Sequence, residues 1–389
     1  MITHLKVSNF RSLGPDVNIR LGRLTALVGP NGSGKSNVTD ALRFVSDALS
    51  HGLDAALSAR QGIGAVRRWS RGRPFDVRIE TSVMAGPYFA IHEFALGSRL
   101  ADYNVKGETA TVVIGDADNP DVVKFYQLKD GQWLTRPEEL RPALDPRSLA
   151  LPLVAGDEHF RPLYEALRDI EIYSIFPDTL REPQKADPSR PMQRHGKNWC
   201  SILKGGREES WAPELRTALG RLTGDIDDVR VKQVGTYLFT EFHHAQADGN
   251  GAQRDKWFDA AQESDGTLRV AGILTALLQE PPLTLIGIEE PELTVHPGAL
   301  PLLYDYLKQA SAHSQVLVTT HSPELLDLFD ADDVRVVERA DGVTTVSPLD
   351  KTQHDAVRQR LLTLGDLVRM EGLKPDREAS AGLEGSRER

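Results

Sequence analysis

Apolar and polar positions follow two periods near the start of the chain. Residues 17–21 alternate between apolar and polar, as on a half-buried strand, and residues 24–28 form a short apolar run suited to a buried strand. After a glycine-rich loop, apolar residues recur at helical spacing between residues 38 and 49, with Gly52 as the predicted stop. The N-terminal segment therefore predicts three strands, a loop and a helix.

The middle of the chain has a different pattern. Short alternating runs separated by turn residues fill residues 75–135 and predict an antiparallel meander. From residue 138 the sequence is first proline-rich and then helical, and residues 183–262 are mixed and polar. We interpret residues 138–262 as an inserted, mainly helical lobe.

Helices and strands alternate regularly from about residue 264. The predicted elements are helices at 267–279, 298–309 and 323–329 and strands at 284–288, 315–319 and 333–338. This βα alternation is typical of a parallel sheet. The predicted organisation is an α/β lobe in two parts, residues 1–137 with the meander and residues 263–373, separated by the insertion and followed by a disordered tail at 374–389.

Composition limits the class of protein. The chain has 389 residues, of which 40% are hydrophobic and 26% charged, which excludes a disordered, collagenous or membrane-embedded protein. The N-terminus lacks a signal pattern, and the single cysteine, Cys200, allows no disulfide or zinc knuckle within the chain, so we expect a cytoplasmic protein that starts at Met1. The net charge of −10 means that any nucleic-acid contact must come from a local patch.

One loop has the composition of a phosphate-binding site. Residues Gly29 to Ser36 read GPNGSGKS, which fits G-x-x-x-x-G-K-[ST] in full, with a strand before it and a helix after it. The glycines let backbone N–H groups surround phosphates, Lys35 reaches the same oxygens and the Ser36 hydroxyl ligates Mg²⁺. We therefore predict a nucleotide site here.

A second group of candidates follows an apolar strand. The segment LTLIGIEEPE ends in Glu289 and Glu290, where the first acid would hold Mg²⁺ through water and the second would orient or deprotonate the attacking water. About 20 residues earlier, Ser264, Asp265 and Gly266 open an apolar helix. These residues serve either as a helix cap or as a signature loop for the γ-phosphate of a nucleotide bound by a second subunit, and both roles are compatible.

A histidine follows the next strand. The segment VTTHSPELLD places His321 at a strand end, before a helix opened by Ser322 and Pro323. His321 could hydrogen-bond the γ-phosphate or the attacking water, or it could cap that helix.

These motifs, in this order, resemble the ATP-binding-cassette class of ATPases, in the branch of RecF, SMC and the stand-alone predicted AAA ATPases. The opening LKVSNFRSLG, the signature SDGTLR, the endings EEPE and TTHSP, and HGKNWCSIL at residues 195–203 are similar to segments of that branch. The resemblance implies a P-loop NTPase fold of the ABC or SMC-head type, with an N-terminal antiparallel β portion and an inserted helical lobe. It covers about residues 1–345.

The resemblance also implies residue roles, with ATP and Mg²⁺ as cofactors. It makes Glu290 the catalytic base and His321 the switch histidine, and it assigns the metal to Ser36, Glu289 and Gln184. The implied nucleotide-binding residues are Arg11, Asn31, Gly32, Ser33, Gly34, Lys35, Ser36, Asn37, Ser264 and Gly266. A head-to-tail homodimer that closes on two ATP molecules is the implied assembly.

The output of ATP hydrolysis is less determined by the sequence. Only 227 residues separate Ser36 from Ser264, without heptads, so no long coiled-coil arm is expected. The main interpretation is a switch or clamp in DNA repair, recombination or defence against foreign DNA. The alternative is an ATP-binding module that licenses a separate effector or nuclease without touching DNA. A transporter ATPase is disfavoured because Ser264 is followed by Asp-Gly-Thr rather than an L-S-G-G-Q signature, and no membrane partner is expected.

One segment is a candidate DNA contact. Arg67, Arg68, Arg71 and Arg73 flank Trp69, and guanidinium groups beside an aromatic ring can hold phosphates and stack on a base. The same segment could instead be a solvated loop or could help the nucleotide site.

Overall fold

The computed structural model describes residues 1–70, 72, 74–99, 102–116, 120–136, 144–207, 209–247 and 253–376. The chain divides into two compact units, one of residues 1–171 with 329–389 and one of residues 172–328. These boundaries differ from the predicted divisions at residues 137, 262 and 373. The phosphate loop therefore belongs to the first unit, whereas Glu290 and His321 belong to the second.

The first unit begins with strands and the helix after the phosphate loop. Its elements up to the boundary are β1 (Ile2–Ser8), β2 (Val17–Arg20), β3 (Leu24–Val28), α1 (Lys35–His51), α2 (Leu53–Ser58), α3 (Ile63–Val66), β4 (Val77–Ala85), β5 (Tyr88–Arg99), β6 (Asp102–Gly115), β7 (Pro120–Lys129), β8 (Gln132–Thr135), α4 (Leu151–Val154) and α5 (Arg161–Arg168). Strand β9 (Ile170–Tyr173) crosses the boundary. The predicted strand at 24–28 and the predicted helix stop at Gly52 are both confirmed.

The predicted meander forms strands β4 to β8. Together with β1 and β2 these strands make a seven-stranded antiparallel sheet in the order β2-β1-β4-β5-β6-β7-β8. A buried carboxylate joins this sheet to the following helix. Glu108 of β6 is 2% exposed and accepts hydrogen bonds from the backbone of Ala150 and Leu151, from the Tyr126 hydroxyl and from the His92 ring. Four partners compensate the loss of water around a buried charge.

The second unit carries the predicted βα alternation and one additional sheet. Its elements are α6 (Pro177–Arg181), β10 (Gln184–Lys185), α7 (Trp199–Gly206), α8 (Ala212–Thr223), β11 (Ile226–Val234), β12 (Tyr237–Ala247), β13 (Gln253–Asp259), α9 (Asp265–Leu278), β14 (Leu285–Glu289), α10 (Leu300–Ala310), β15 (Gln315–Thr320) and α11 (Pro323–Leu326). Strands β14 and β15 are parallel neighbours, with Glu289 opposite Thr319. The expected helix–strand order after residue 264 is therefore confirmed within this unit.

The prediction of a mainly helical insertion at 138–262 is wrong in its second half. Strands β11, β12 and β13 are antiparallel with β12 in the centre, and β10 also pairs with β12. The pattern was obscured because β11 and β12 carry Asp, Arg, Lys and His at partly exposed positions, so that apolar alternation is weak.

The chain returns to the first unit after residue 328. Its last elements are β16 (Val334–Ala340), β17 (Val343–Pro348), α12 (Lys351–Arg358) and α13 (Leu364–Met370). Strand β16 runs parallel to β3 and antiparallel to β17. The tail predicted from residue 374 begins in ordered contact, because Pro375 forms a bridge with Leu349, and residues 377–389 lie outside the described residues.

Strand β17 supports the phosphate loop through a chain of hydrogen bonds. Asn37 donates to Ser12 Oγ over 2.6 Å, Ser12 Oγ lies 2.7 Å from Thr344 Oγ1, and Thr344 donates to the Ser33 carbonyl over 2.8 Å. The side chains of Ser12 and Thr344 are buried, so these bonds are shielded from water. The loop conformation thus depends on a strand more than 300 residues later in the chain.

We predict that Thr344→Val destabilises the first unit. The substitution keeps the shape of the side chain but removes the hydroxyl that bonds to Ser33 and Ser12, so the free energy of unfolding should fall by about 1–3 kcal/mol. Urea unfolding measures this, with Thr345→Val as the matched control because Thr345 is exposed on the same strand. Equal stability of the two variants would contradict the role assigned to Thr344.

Candidate functional site

The phosphate loop in the first unit has a buried lysine at its end. Lys35 is 6% exposed, begins α1, and its Nζ donates to the carbonyls of Gly29 and Pro30 over 2.6 and 3.2 Å. The ammonium group therefore lies over the loop backbone. Ser36, the predicted metal ligand, and Asn31 are exposed on the same segment.

The loop needs its glycines. Gly32 and Gly34 have φ of 77° and 108°, a region that favours glycine. A Cβ at Gly29 would lie 2.2 Å from the Val337 carbonyl oxygen, and one at Gly34 would lie 2.3 Å from Thr344 Oγ1. The sequence motif is therefore explained by backbone conformation and close packing.

This loop fits a bound phosphate. Gly34 offers no side-chain cap to the 17-residue helix α1, so the first N–H groups of that helix are not satisfied by a capping side chain. The Ser33 hydroxyl is buried and has no hydrogen-bond partner among the described residues. An anion with several acceptor oxygens would satisfy these donors together with Lys35.

Arg11 lies beside the second turn of α1. Its backbone has φ of 50°, and its guanidinium forms an ion pair with Asp40 over 2.8 Å. Asp40 also pairs with Arg60, which is almost fully buried. The role of Arg11 as a nucleotide contact stays a prediction, and its charge is already matched by a carboxylate.

The second unit brings together the predicted acid and histidine. Glu290 follows β14 with φ of 48°, and its N–H donates to the Thr319 carbonyl of β15 over 2.9 Å. His321 follows β15, and its Nδ1 lies 3.4 Å from Glu290 Oε1. Because parallel neighbouring strands end at the same edge, two residues 31 positions apart become adjacent.

Glu289 and Glu290 differ in their surroundings. The side chain of Glu289 is 12% exposed and forms an ion pair of 2.9 Å with Arg194, whereas that of Glu290 is 31% exposed. Glu292, which received no role from the sequence, is 8% exposed and accepts from the Thr320 hydroxyl over 2.6 Å. Its Oε1 also accepts from the backbone N–H of His321 over 3.3 Å, which fixes the start of the histidine segment.

The predicted signature residues form a helix cap. Ser264 precedes α9, and its hydroxyl accepts from the Thr267 N–H over 3.1 Å. A Cβ at Gly266 would lie 2.6 Å from the Thr294 carbonyl oxygen, so glycine allows this close approach. Arg181 donates to Asp265 over 2.6 Å and holds the same turn. The capping role is confirmed, and the contact with a second subunit's nucleotide stays a prediction.

Arg269 links that helix to the acidic strand end. It is 6% exposed and donates to the carbonyls of Ile175, Glu290 and Glu289 over 2.7, 2.8 and 3.2 Å. Burial lowers the pKa of Arg269 from its usual value, and the carboxylates of Glu292 and Glu290 oppose this effect. This arginine ends the SDGTLR segment, but the sequence alone indicated no role for it.

Gln184 is occupied by structural hydrogen bonds. Its Nε2 donates to the carbonyls of Thr179 and Gly196 over 3.1 and 2.8 Å, and its Oε1 accepts from the Cys200 N–H over 2.9 Å. These contacts give the buried amide a structural role, and the role of Gln184 as a metal ligand stays a prediction.

The predicted DNA contact is only partly within the described residues. Trp69 is 76% exposed, whereas Arg68 lies 4.5 Å from the Phe75 ring centroid and donates to Asn9 over 3.2 Å. Arg71 and Arg73 lie outside the described residues. The segment therefore offers an exposed ring, and one of its arginines is already engaged.

No helix in the described ranges is long and apolar enough to cross a membrane.

Known proteins resemble this chain in sequence or in fold. The chain is 26% identical over 385 residues to the OLD nuclease of Thermus scotoductus, covering 92% of this chain and 67% of that protein. A solved structure described as the SmcHead bound to the C-winged helix domain of ScpA has a TM-score of 0.51 and 16% identity, covering 90% of this chain and 98% of that chain. This likeness confirms the predicted P-loop fold of the SMC-head type.

A family model described as "AAA domain, putative AbiEii toxin, Type IV TA system" matches residues 24–327. The match spans more than half of the chain and includes the phosphate loop, the signature segment, the acidic strand end and His321. The chain belongs to this family of AAA domains and is a P-loop ATPase.

Proposed function

We propose that the chain binds and hydrolyses Mg-ATP and that hydrolysis switches a head-to-tail dimer between closed and open states. The observation that carries the proposal is the adjacency of Glu290 and His321 at the ends of two parallel strands, 3.4 Å apart. The phosphate loop, with its buried lysine and open helix terminus, supplies the complementary chemistry. Family membership over residues 24–327, which include both sets of residues, supports a role for each of them in ATP hydrolysis.

Each candidate residue would have a role in ATP hydrolysis that follows from its chemistry. Lys35 and the first N–H groups of α1 would bind the phosphate oxygens, and Glu290 would accept a proton from the attacking water. His321 would donate a hydrogen bond to the transferred phosphate and take part in proton sharing with Glu290. Ser36 and Glu289 would hold Mg²⁺, which neutralises charge that develops on the phosphate oxygens.

Ser264 and Gly266 would complete the site of a second subunit. The N-terminus of α9 is already capped by Ser264, and its partial positive charge would favour an anion. In a head-to-tail dimer each subunit would thus supply this helix terminus to its partner's ATP. ATP would then act as part of the interface, and its hydrolysis would open the dimer.

The pathway is proposed from the relatives. The chain is similar in sequence to an OLD nuclease and in fold to an SMC head. We therefore propose a role in DNA repair, recombination or defence against foreign DNA. A second candidate is an ATP-dependent module that licenses a separate effector or nuclease. The contacts of Arg68 with Phe75 and Asn9 favour it, because they give this arginine a structural role within the chain.

Lys35→Ala should abolish ATP binding. The substitution removes the cation that lies over the loop, and the remaining N–H groups alone are expected to bind triphosphate at least about 100-fold more weakly, which corresponds to about 2.8 kcal/mol. Calorimetric titration with Mg-ATP measures the affinity, and Lys185→Ala is the control because that lysine is exposed on β10. Unchanged affinity in Lys35→Ala would contradict the proposed site.

Glu290→Gln should retain ATP and accumulate as a dimer. Loss of the proton acceptor should lower hydrolysis by about 100-fold or more, while the neutral amide still permits ATP binding. Light scattering with saturating Mg-ATP measures the mass, and Glu182→Gln is the control because Glu182 is exposed. A monomer under these conditions would count against the dimeric switch.

Steady-state hydrolysis with and without single- and double-stranded DNA at low salt separates the two candidate roles. If the chain itself binds DNA, we expect DNA to raise the hydrolysis rate of the wild type but not that of Glu290→Gln. A hydrolysis rate that DNA does not change would favour a protein partner that binds the chain according to its bound nucleotide.

A further inference from the structure

A cleft of about 430 Å³ lies within the second unit, between the end of α7, the start of α8 and strand β11. This volume falls in the range of small-ligand pockets, about 300–1,000 Å³. Leu203, Leu215, Val229 and Val231 form its apolar lining. The two valines are two residues apart and therefore lie on the same face of β11. Both are only partly buried, so apolar surface stays accessible there.

The charged lining of this cleft is positive. Lys204, Arg207, Arg216 and Arg230 line it, and among the described residues no Asp or Glu does so. The chain as a whole has a net charge of −10, so the cleft is a local reversal of the overall charge. Such a reversal favours an anionic ligand.

Two of these cations, Lys204 and Arg207, pair with no carboxylate among the described residues. Lys204 Nζ donates to the neutral amide oxygen of Gln233 over 2.6 Å, whereas Arg216 Nη1 forms a longer ion pair of 3.7 Å with Asp228 Oδ1. Arg207 is exposed and pairs with no residue in the part of the chain that the structure describes.

Arg230 differs from the other three. Its guanidinium lies 3.8 Å from the Trp257 ring centroid and pairs with Glu241 over 2.7 Å. We therefore leave it out of the ligand-binding set.

One wall of the cleft is held rigidly. Trp211 is 4% exposed, and its ring packs so closely on Gly206 that a Cβ there would lie 1.9 Å from a ring carbon. Its indole N–H donates to Glu209 over 2.7 Å, and Glu209 pairs with Arg190 over 2.8 Å. A wall fixed before binding lowers the entropic cost of binding a ligand.

We propose that this cleft binds a phosphate-bearing ligand with an apolar ring, that is, a nucleotide unit. The cations that line the cleft match the charge and multiple acceptor oxygens of a phosphate, and the apolar lining matches a base. The source is either a free mononucleotide or a nucleotide of single-stranded DNA. None of these residues belongs to the phosphate loop or to the acidic strand end, so the site is additional to the proposed ATP site.

The full-length chain is tested with two probes that lack a triphosphate, AMP and a labelled thymidine tetranucleotide, at low salt. The cleft variant combines Arg207→Ala with Arg216→Ala. The matched control combines Arg161→Ala with Arg221→Ala, two arginines that do not line the cleft. Thermal unfolding checks that both variants fold, and a single charge reversal, Arg216→Glu, serves as a second variant.

The cleft variant should bind its probe about tenfold or more weakly than the wild type, and the control should bind as the wild type does. For the tetranucleotide, the slope of log affinity against log salt should fall by about 0.7 for each phosphate that the variant no longer neutralises. Binding of AMP alone assigns the cleft to a free nucleotide, and binding of the tetranucleotide, with or without AMP, assigns it to single-stranded DNA.

The proposal is overturned if neither probe binds at millimolar concentration, or if the cleft and control variants weaken binding equally. It is also overturned if Lys35→Ala, rather than the cleft variant, removes the binding. Because neither probe carries a triphosphate, failure here leaves the proposed ATP site untouched, and failure of ATP binding leaves the cleft proposal untouched.

Discussion

Three glutamates within four residues repel one another at the end of one buried strand, and much of the second unit's arrangement compensates this repulsion. Arg194 pairs with Glu289, the Thr320 hydroxyl and His321 backbone bond to Glu292, and Arg269 donates to the carbonyls of Glu289 and Glu290. These partners come from three different segments of the unit. The acidic strand end therefore fixes the positions of the signature helix, the histidine segment and the loop that carries Arg194.

This compensation has a consequence for the catalytic cycle. Mg²⁺ held through Glu289 would have to compete with Arg194 for the same carboxylate, because a cation already lies 2.9 Å from it. The exchange of partners on Glu289 would be coupled to movement of Arg194, whose side chain is 34% exposed and so has room to move. Metal and nucleotide binding would in this way be transmitted to the loop that leads into α7.

Much of this architecture could be predicted from the sequence, because its elements have strong periodicity or a motif with a physical basis. The run at 24–28, the phosphate loop, and the strand ends at Glu290 and His321 all lie where the pattern placed them. Arg269 and Arg194 could not be predicted, because long side chains reach partners that are distant in sequence. Strands β11 and β12 were missed because charged residues hide their alternation, and the hydrogen bonds of Gln184 could not be predicted because its backbone partners are distant in sequence.

In the proposed dimer, each ATP is bound by the phosphate loop of one subunit and the site is completed by Ser264 of the other. Mixing Lys35→Ala with Ser264→Arg tests this arrangement, because a mixed dimer contains one site with both defects and one intact site. We expect each variant alone to be inactive and an equimolar mixture to hydrolyse ATP at about a quarter of the wild-type rate, since half of the dimers are mixed and each has one working site. A mixture no more active than the separate variants would contradict it.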